Sequence, residues 1–183
     1  MTLIFDILFS FFGLVLLSLV LIVLVIIGYF DTGSPIFCQE RVGKGIKPFR
    51  LMKFRSMHVN TPSVATHLAS ASSITSFGFF LRKSKLDELP QLWNVFVGNM
   101  ILVGPRPNLL NQEELINERD SRGVYCVRPW ITGLAQINKI DMSTPQLLAE
   151  TDVKMIQELN TLGYFKYIFL TLFGKGIGFV TSR

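Results

Sequence analysis

Two adjacent carboxylates, Asp87 and Glu88, stand in a short basic stretch with Arg82, Lys83 and Lys85, in a chain whose charged residues make up only 17%. Adjacent carboxylates can hold a divalent cation or divide the work of nucleophile and base. Basic side chains beside them can hold phosphate oxygens. Further along, Arg106 lies between Pro105 and Pro107, and Arg128 precedes Pro129. Proline fixes φ, so each arginine is presented from a stiff loop. A guanidinium fork held in that way suits a phosphate better than a mobile ammonium does. The competing reading is local: Asp87 and Glu88 lie in the first turn of a helix, complement its dipole, and form a capping-box-like start with Ser84. In that helix Leu86, Leu89, Trp93 and Phe96 share one face. Taken together, the residues point to a phosphorylated substrate.

The elements that must position these groups divide the chain in two. In residues 1–30, 24 positions are hydrophobic, and from Ile7 to Phe30 no residue is charged. As a helix this run is about 36 Å long, enough for a hydrocarbon core of roughly 30 Å. It reads either as one spanning anchor or as a re-entrant helix, and composition does not choose between them. The start, MTLIFD, has no Lys or Arg, which argues against a cleaved signal peptide. Arg41, Lys44, Lys47, Arg50, Lys53 and Arg55 follow the segment, so the positive-inside tendency places the rest of the chain in the cytoplasm. All 18 Lys and Arg lie beyond residue 30 with 12 of the 13 acids, a balance of +6. That suits an anionic partner, whether phosphorylated substrate or lipid headgroup. Nucleic acid is not expected, because the aromatics do not alternate with basic residues. Disorder is excluded by 49% hydrophobic residues. Cys38 and Cys126 have no redox or zinc spacing, and His58 and His67 have no metal partners at ligand spacing.

Within the polar part, Ile36–Val42 and Pro48–Met57 are β-compatible runs around Gly43-Lys44-Gly45, a hairpin pattern. Residues 60–78 read as a Ser/Thr/Ala-rich loop, 111–122 as helix-permissive, and 128–138 as a loop with short apolar pieces. Pro145–Leu159 has helical composition. The final stripe of Phe165, Ile168, Phe169, Leu172 and Phe173 is either core or an amphipathic helix in a membrane interface. The expected fold is α+β and mostly helical, with a small hairpin, in two parts: a membrane-embedded 1–30 and a membrane-associated 31–183.

Four pieces carry a resemblance: FD followed by an apolar helix, then GSPIFCQERVGKGIKPFRLMKFRSM, LRKSKLDELPQLWNVFVGNMILVGPRP and VRPWITGLAQIN. In that order over residues 4–138, the sequence resembles the monotopic phosphoglycosyl transferases, a bacterial sugar transferase family, and its small members without an extra N-terminal domain. The match weakens after residue 140, with Asp152 a candidate for a family acidic position. Ser18-Leu19 stands where the family often has Ser-Pro, Asn99 replaces an Asp, Trp130 a Gly and Leu134 a Trp. The resemblance implies transfer of a sugar-1-phosphate from a UDP-sugar to polyprenyl (undecaprenyl) phosphate, releasing UMP. Asp87 would be the nucleophile, leaving an aspartyl-phosphosugar, and Glu88 would help to hold Mg²⁺ with it. Arg82, Arg106 and Arg128 would contact phosphate, with Lys53 and Arg55 as weaker candidates. The chain would sit on the bacterial inner membrane, in contact with lipid, with its catalytic part and both ends of the apolar helix on the cytoplasmic face. A homo-oligomer is left open. Two rivals remain: a non-catalytic lipid-binding protein, which leaves the Asp87-Glu88 pair unexplained, and a membrane phosphatase using the same aspartate with water.

Overall fold

The computed structural model describes residues 2–61 and 73–172. In chain order the elements are helices α1 (Thr2–Leu16) and α2 (Ser18–Thr32), strands β1 (Ile36–Val42) and β2 (Pro48–Phe54), and helices α3 (Ser76–Ser84) and α4 (Gln91–Phe96). Strand β3 (Ile101–Val103), helix α5 (Glu113–Ser121) and strand β4 (Trp130–Thr132) follow, then helices α6 (Leu134–Ile137), α7 (Pro145–Glu158) and α8 (Thr161–Leu172).

The apolar N-terminal run is not one straight helix. It bends by 64° between α1 and α2, and among the described residues no single helix is long and apolar enough to cross a membrane. Leu17 leaves helical geometry (φ −92°, ψ 5°), although its N–H still donates to Gly13 O and its carbonyl accepts from Leu21 N. No proline marks the break, and the two halves dock on different surfaces. Helix α1 lies on α4, where a Cβ at Gly13 would approach Leu92 Cδ1 to 3.2 Å and the Phe11 and Phe96 rings are 6.1 Å apart. Helix α2 packs instead on the hairpin and α3, with Leu24 buried against Phe54 and Leu81. Two halves docked on different surfaces cannot remain collinear. The outward faces stay apolar and exposed, as at Leu16, Leu19 and Phe30.

Asp6 is fully buried, with Oδ1 accepting from Leu102 N (3.0 Å) and Tyr164 Oη (2.7 Å). An anion inside an apolar helix would be costly unless hydrogen-bonded. These bonds tie the start of α1 to β3 and α8.

Strands β1 and β2 form the expected antiparallel hairpin, with Ile36 opposite Phe54 and Val42 opposite Pro48. The basic turn between them passes through Gly45 and Ile46, both in the left-handed region. The second sheet was not legible: β3 and β4 pair in parallel, Ile101 with Trp130 and Val103 with Thr132. The stretch 128–138 thus holds a strand and a short helix rather than a loop. Val103, Trp130, Met155 and Tyr164 form the core between this sheet, α7 and α8. Helices α5 and α7 lie where their composition places them, and Pro145 opens α7 at a position that needs no N–H. Helix α3 begins inside the stretch read as a loop, with the Thr75 hydroxyl accepting from Gly78 N at 2.8 Å. Helix α8 joins the core along one side and exposes apolar residues along the other. Tyr164 is buried in the core and Phe165 packs on Phe5 and Phe9 of α1, while Leu162 and Phe169 face outward. Phe173, like His67, lies outside the described residues.

Candidate active site

The stretch 84–96 is not one capped helix. Ser84 ends α3, and its hydroxyl donates back to Phe80 O (2.8 Å), so it forms no capping box with Asp87. Lys85 then takes a left-handed conformation (φ 59°, ψ 15°), which is strained for a residue with a side chain. A single 3₁₀ turn, Leu86–Glu88, follows before α4 opens after Pro90. The chain reverses sharply at Lys85, and that reversal turns Asp87 and Glu88 toward the hairpin rather than along a helix. Trp93, expected on a packed face, is about half exposed.

Helix α3 sits directly on the end of β2. A Cβ at Gly78 would lie 2.0 Å from Ser56 O, so only glycine permits the approach. One turn on, Arg82 is buried and its Nε donates to Ser56 Oγ at 2.8 Å. From β2 comes Lys53, and from β1 comes Arg41, on the same face of the hairpin because residues 53 and 37 are paired. Arg106 reaches the dyad from the loop after β3, with Nη2 2.5 Å from Glu88 Oε1. Burial, then the neighbouring Glu88 carboxylate, push Asp87 up to about 6 against the pull of Lys53, Arg106 and Arg82. Burial, then Arg41, push Lys53 down to about 8 despite Asp87. Arg82 is likewise lowered by burial, and Asp87 opposes the shift. The site therefore combines two carboxylates with desolvated cations.

The loop carrying Arg106 is pinned along its backbone. Gly104 N donates to Thr132 O, Pro105 O accepts from Trp130 N, and Asn108 O accepts from Val42 N. Arg106 O accepts from Arg119 Nη1 at 2.8 Å. Arg119 is itself held by Asp152 (2.9 and 2.6 Å), both buried, and Tyr125 Oη and Arg119 share Asn108 Oδ1. Asp152 thus serves the frame behind Arg106 rather than the dyad. Arg128 lines a cleft with Arg106, Pro105, Pro107, Pro129 and Tyr125. Arg55 lies apart: its Nε donates to Ser34 O (2.8 Å) and its guanidinium covers the Phe37 ring at 5.2 Å. Trp130 is buried in the core, and a Cβ at Gly104 (φ 150°) would be 1.9 Å from its indole.

Among the described residues no three His, Cys, Asp or Glu side chains converge as a metal-binding group. Magnesium needs less than that, since it takes one or two carboxylates, keeps waters and binds substrate phosphates. Asp87 and Glu88 meet that requirement, and among the described residues Asp87 has no ion pair of its own. Sequence reasoning missed Arg41, which counted only as one of the charges following the membrane segment. The Q-x-R spacing on one strand face was the available signal.

Residues 1–175 match the family described as bacterial sugar transferase. The galactosyl transferase CpsE of Streptococcus agalactiae is 35% identical over 181 residues, covering 91% of this chain and 40% of that protein. The UDP-glucose:undecaprenyl-phosphate glucose-1-phosphate transferase of Xanthomonas campestris is 43% identical over 122 residues, 63% of this chain and 25% of that protein. EpsL of Bacillus subtilis, an uncharacterized sugar transferase, is 35% identical over 169 residues, covering 92% of this chain and 83% of its own length. The chain spans less than half the length of the first two.

Proposed function

We propose a phosphoglycosyl transfer for this chain, which belongs to the bacterial sugar transferase family. The sugar-1-phosphate of a UDP-sugar passes to polyprenyl phosphate, and UMP is released. Relatives named for glucose-1-phosphate transfer from UDP-glucose to undecaprenyl phosphate support the reading. The observation that carries it is Asp87, a carboxylate set among Lys53, Arg82 and Arg106 with Glu88 beside it. A carboxylate approaching a diphosphate meets repulsion unless cations neutralise it, and this site supplies them from three separate elements.

In the proposed first step an Asp87 carboxylate oxygen attacks the β-phosphorus. The bond from that phosphorus to the bridging oxygen breaks, and UMP leaves with the electron pair. An aspartyl-phosphosugar remains. An oxygen of polyprenyl phosphate then attacks the same phosphorus, expels the Asp87 carboxylate and yields polyprenyl-diphosphate-sugar. Arg106 and Arg128 contact phosphate oxygens from their stiff loop positions, joined by Arg82 and Lys53. Arg55 stands back as a contact of the Ser34 backbone. Asp87 and Glu88 would hold Mg²⁺, which when bound supplies charge neutralisation at the diphosphate.

Residues 1–30 act as the membrane-embedded part of this enzyme and 31–183 as its catalytic part, on the cytoplasmic face of the bacterial inner membrane. The bent α1–α2 pair supports a re-entrant rather than spanning path, because both of its ends dock on the same body: Asp6 on Leu102 and Tyr164, and Gly28 on Pro35 and Phe77. A panel of UDP-sugars assayed for UMP release, with and without polyprenyl phosphate, tests the activity. Release from at least one sugar, with the sugar recovered on the lipid, is expected. Free sugar phosphate as the product would point to the phosphatase, and no release to a lipid-binding protein.

A further inference from the structure

Arg41 is 7% exposed on β1 and has no carboxylate partner among the described residues. Its Nη2 donates to Gln39 Oε1 at 2.6 Å and its Nη1 to Pro107 O at 3.3 Å, while Nε is buried with no acceptor. The nearest charges make matters worse for it: Arg106 and Lys53 both repel it. Arg82 Nη1 and Lys85 Nζ are also buried without acceptors. A guanidinium taken out of water with neutral partners and cationic neighbours is costly, and buried charges are ordinarily paired. Arg119 shows the ordinary solution in the same molecule, with Asp152 against it. Among the described residues Arg41 has no such counter-ion. Pro107, whose carbonyl Arg41 holds, lines the cleft that contains Arg106 and Arg128, although Arg41 itself does not line it.

We propose that Arg41 is a substrate-binding residue whose missing counter-ion is a phosphate group of the substrate, with Nε and one Nη N–H directed at its oxygens. The assignment rests on the phosphoryl-transfer reading for the identity of the ligand, but not for the prediction that the ligand is a phosphate anion. Two phosphates could serve, the diphosphate of the nucleotide donor or the monophosphate of the lipid acceptor, and their chemistry at Arg41 is the same.

Arg41→Met and Arg41→Lys variants of the full chain in detergent decide the matter by thermal stability and direct titration. The probes are UDP, inorganic pyrophosphate and a short-chain prenyl monophosphate. A structural role predicts that Arg41→Met melts below wild type in the absence of ligand. A ligand-binding role predicts the opposite: removal of an uncompensated buried charge leaves the unliganded melting temperature unchanged or raised. Phosphate affinity should then fall by about ten- to a hundred-fold, the loss expected for a charge-assisted hydrogen bond. Arg41→Lys retains the charge but not the fork, and should bind almost as weakly. Weakened binding confined to UDP and pyrophosphate assigns Arg41 to the donor, and weakening confined to the prenyl phosphate assigns it to the acceptor. Wild-type affinity for all three probes in Arg41→Met overturns the inference, as does a lowered unliganded melting temperature with affinity retained in Arg41→Lys. If wild type releases no UMP from any UDP-sugar yet binds pyrophosphate through Arg41, the reaction fails and the phosphate site stands.

Discussion

Asp87 is the residue on which the reading turns, and its environment sets a pH window. Its carboxyl must be ionised to attack phosphorus, and burial with Glu88 beside it pushes it up to about 6. Lys53, pushed down to about 8, loses its charge on the alkaline side. The kcat/KM for UMP release should therefore be bell-shaped between these values, since that ratio reports the free enzyme. A rate flat from pH 5 to 9 would contradict it. The same shift has a consequence for stability. A carboxyl raised from 3.8 makes its ionised form destabilising in the folded state, a cost that grows as pH rises from about 4 through 6. Asp87→Asn should melt above wild type at pH 8 and equal to it below pH 4; a variant that melts lower at pH 8 would refute the desolvated carboxylate. Arg106→Lys should lose most activity with its melting temperature nearly unchanged, because the loop is held by the Arg106 carbonyl rather than its side chain. Wild-type turnover in that variant would make the Glu88 contact a surface pair only.

At the scale of elements, the hairpin was legible from two β-compatible runs around a glycine turn, and helices α5 and α7 from their composition. The parallel pair β3–β4 was not, since three-residue strands joined across an intervening helix display none. The bend at Leu17 was hidden for a different reason: it follows from docking on two surfaces, and the local sequence lacks proline. The 3₁₀ turn bearing the dyad looked like a helix start because Lys85, an unremarkable residue by type, adopts the left-handed conformation that glycine would announce. The arginines beside prolines were visible as stiff positions, but the frame behind them, Arg119 with Asp152 and Asn108, joins residues too distant in sequence to be paired from pattern. That frame depends on close packing at Gly104. Gly104→Ala would place a Cβ against the Trp130 indole and should cost more than about 2 kcal/mol in thermal unfolding. Wild-type stability in that variant would show that the β3–β4 contact yields readily.

For the whole molecule, the path of the N-terminal helices decides how the proposed site would meet both a soluble nucleotide and a lipid. Asp6 and Gly28, near opposite ends of the bent pair, are both fastened to the same body, and the outward faces of α1, α2 and α8 are apolar. A cysteine introduced at Thr2 should resist a membrane-impermeant thiol reagent in intact cells and react after permeabilisation, with Cys38 and Cys126 replaced beforehand. Labelling from outside would establish a spanning helix. The central claim, that Asp87 carries the phosphosugar, is tested most directly with enzyme, UDP-sugar and Mg²⁺ in the absence of any lipid acceptor. About one UMP should be released per active site, with a phosphosugar mass gained on the peptide containing Asp87, as two-step covalent transfer requires, and neither signal in Asp87→Asn. UMP release that depends strictly on polyprenyl phosphate, with no adduct on that peptide, would contradict the account and leave direct transfer in a ternary complex.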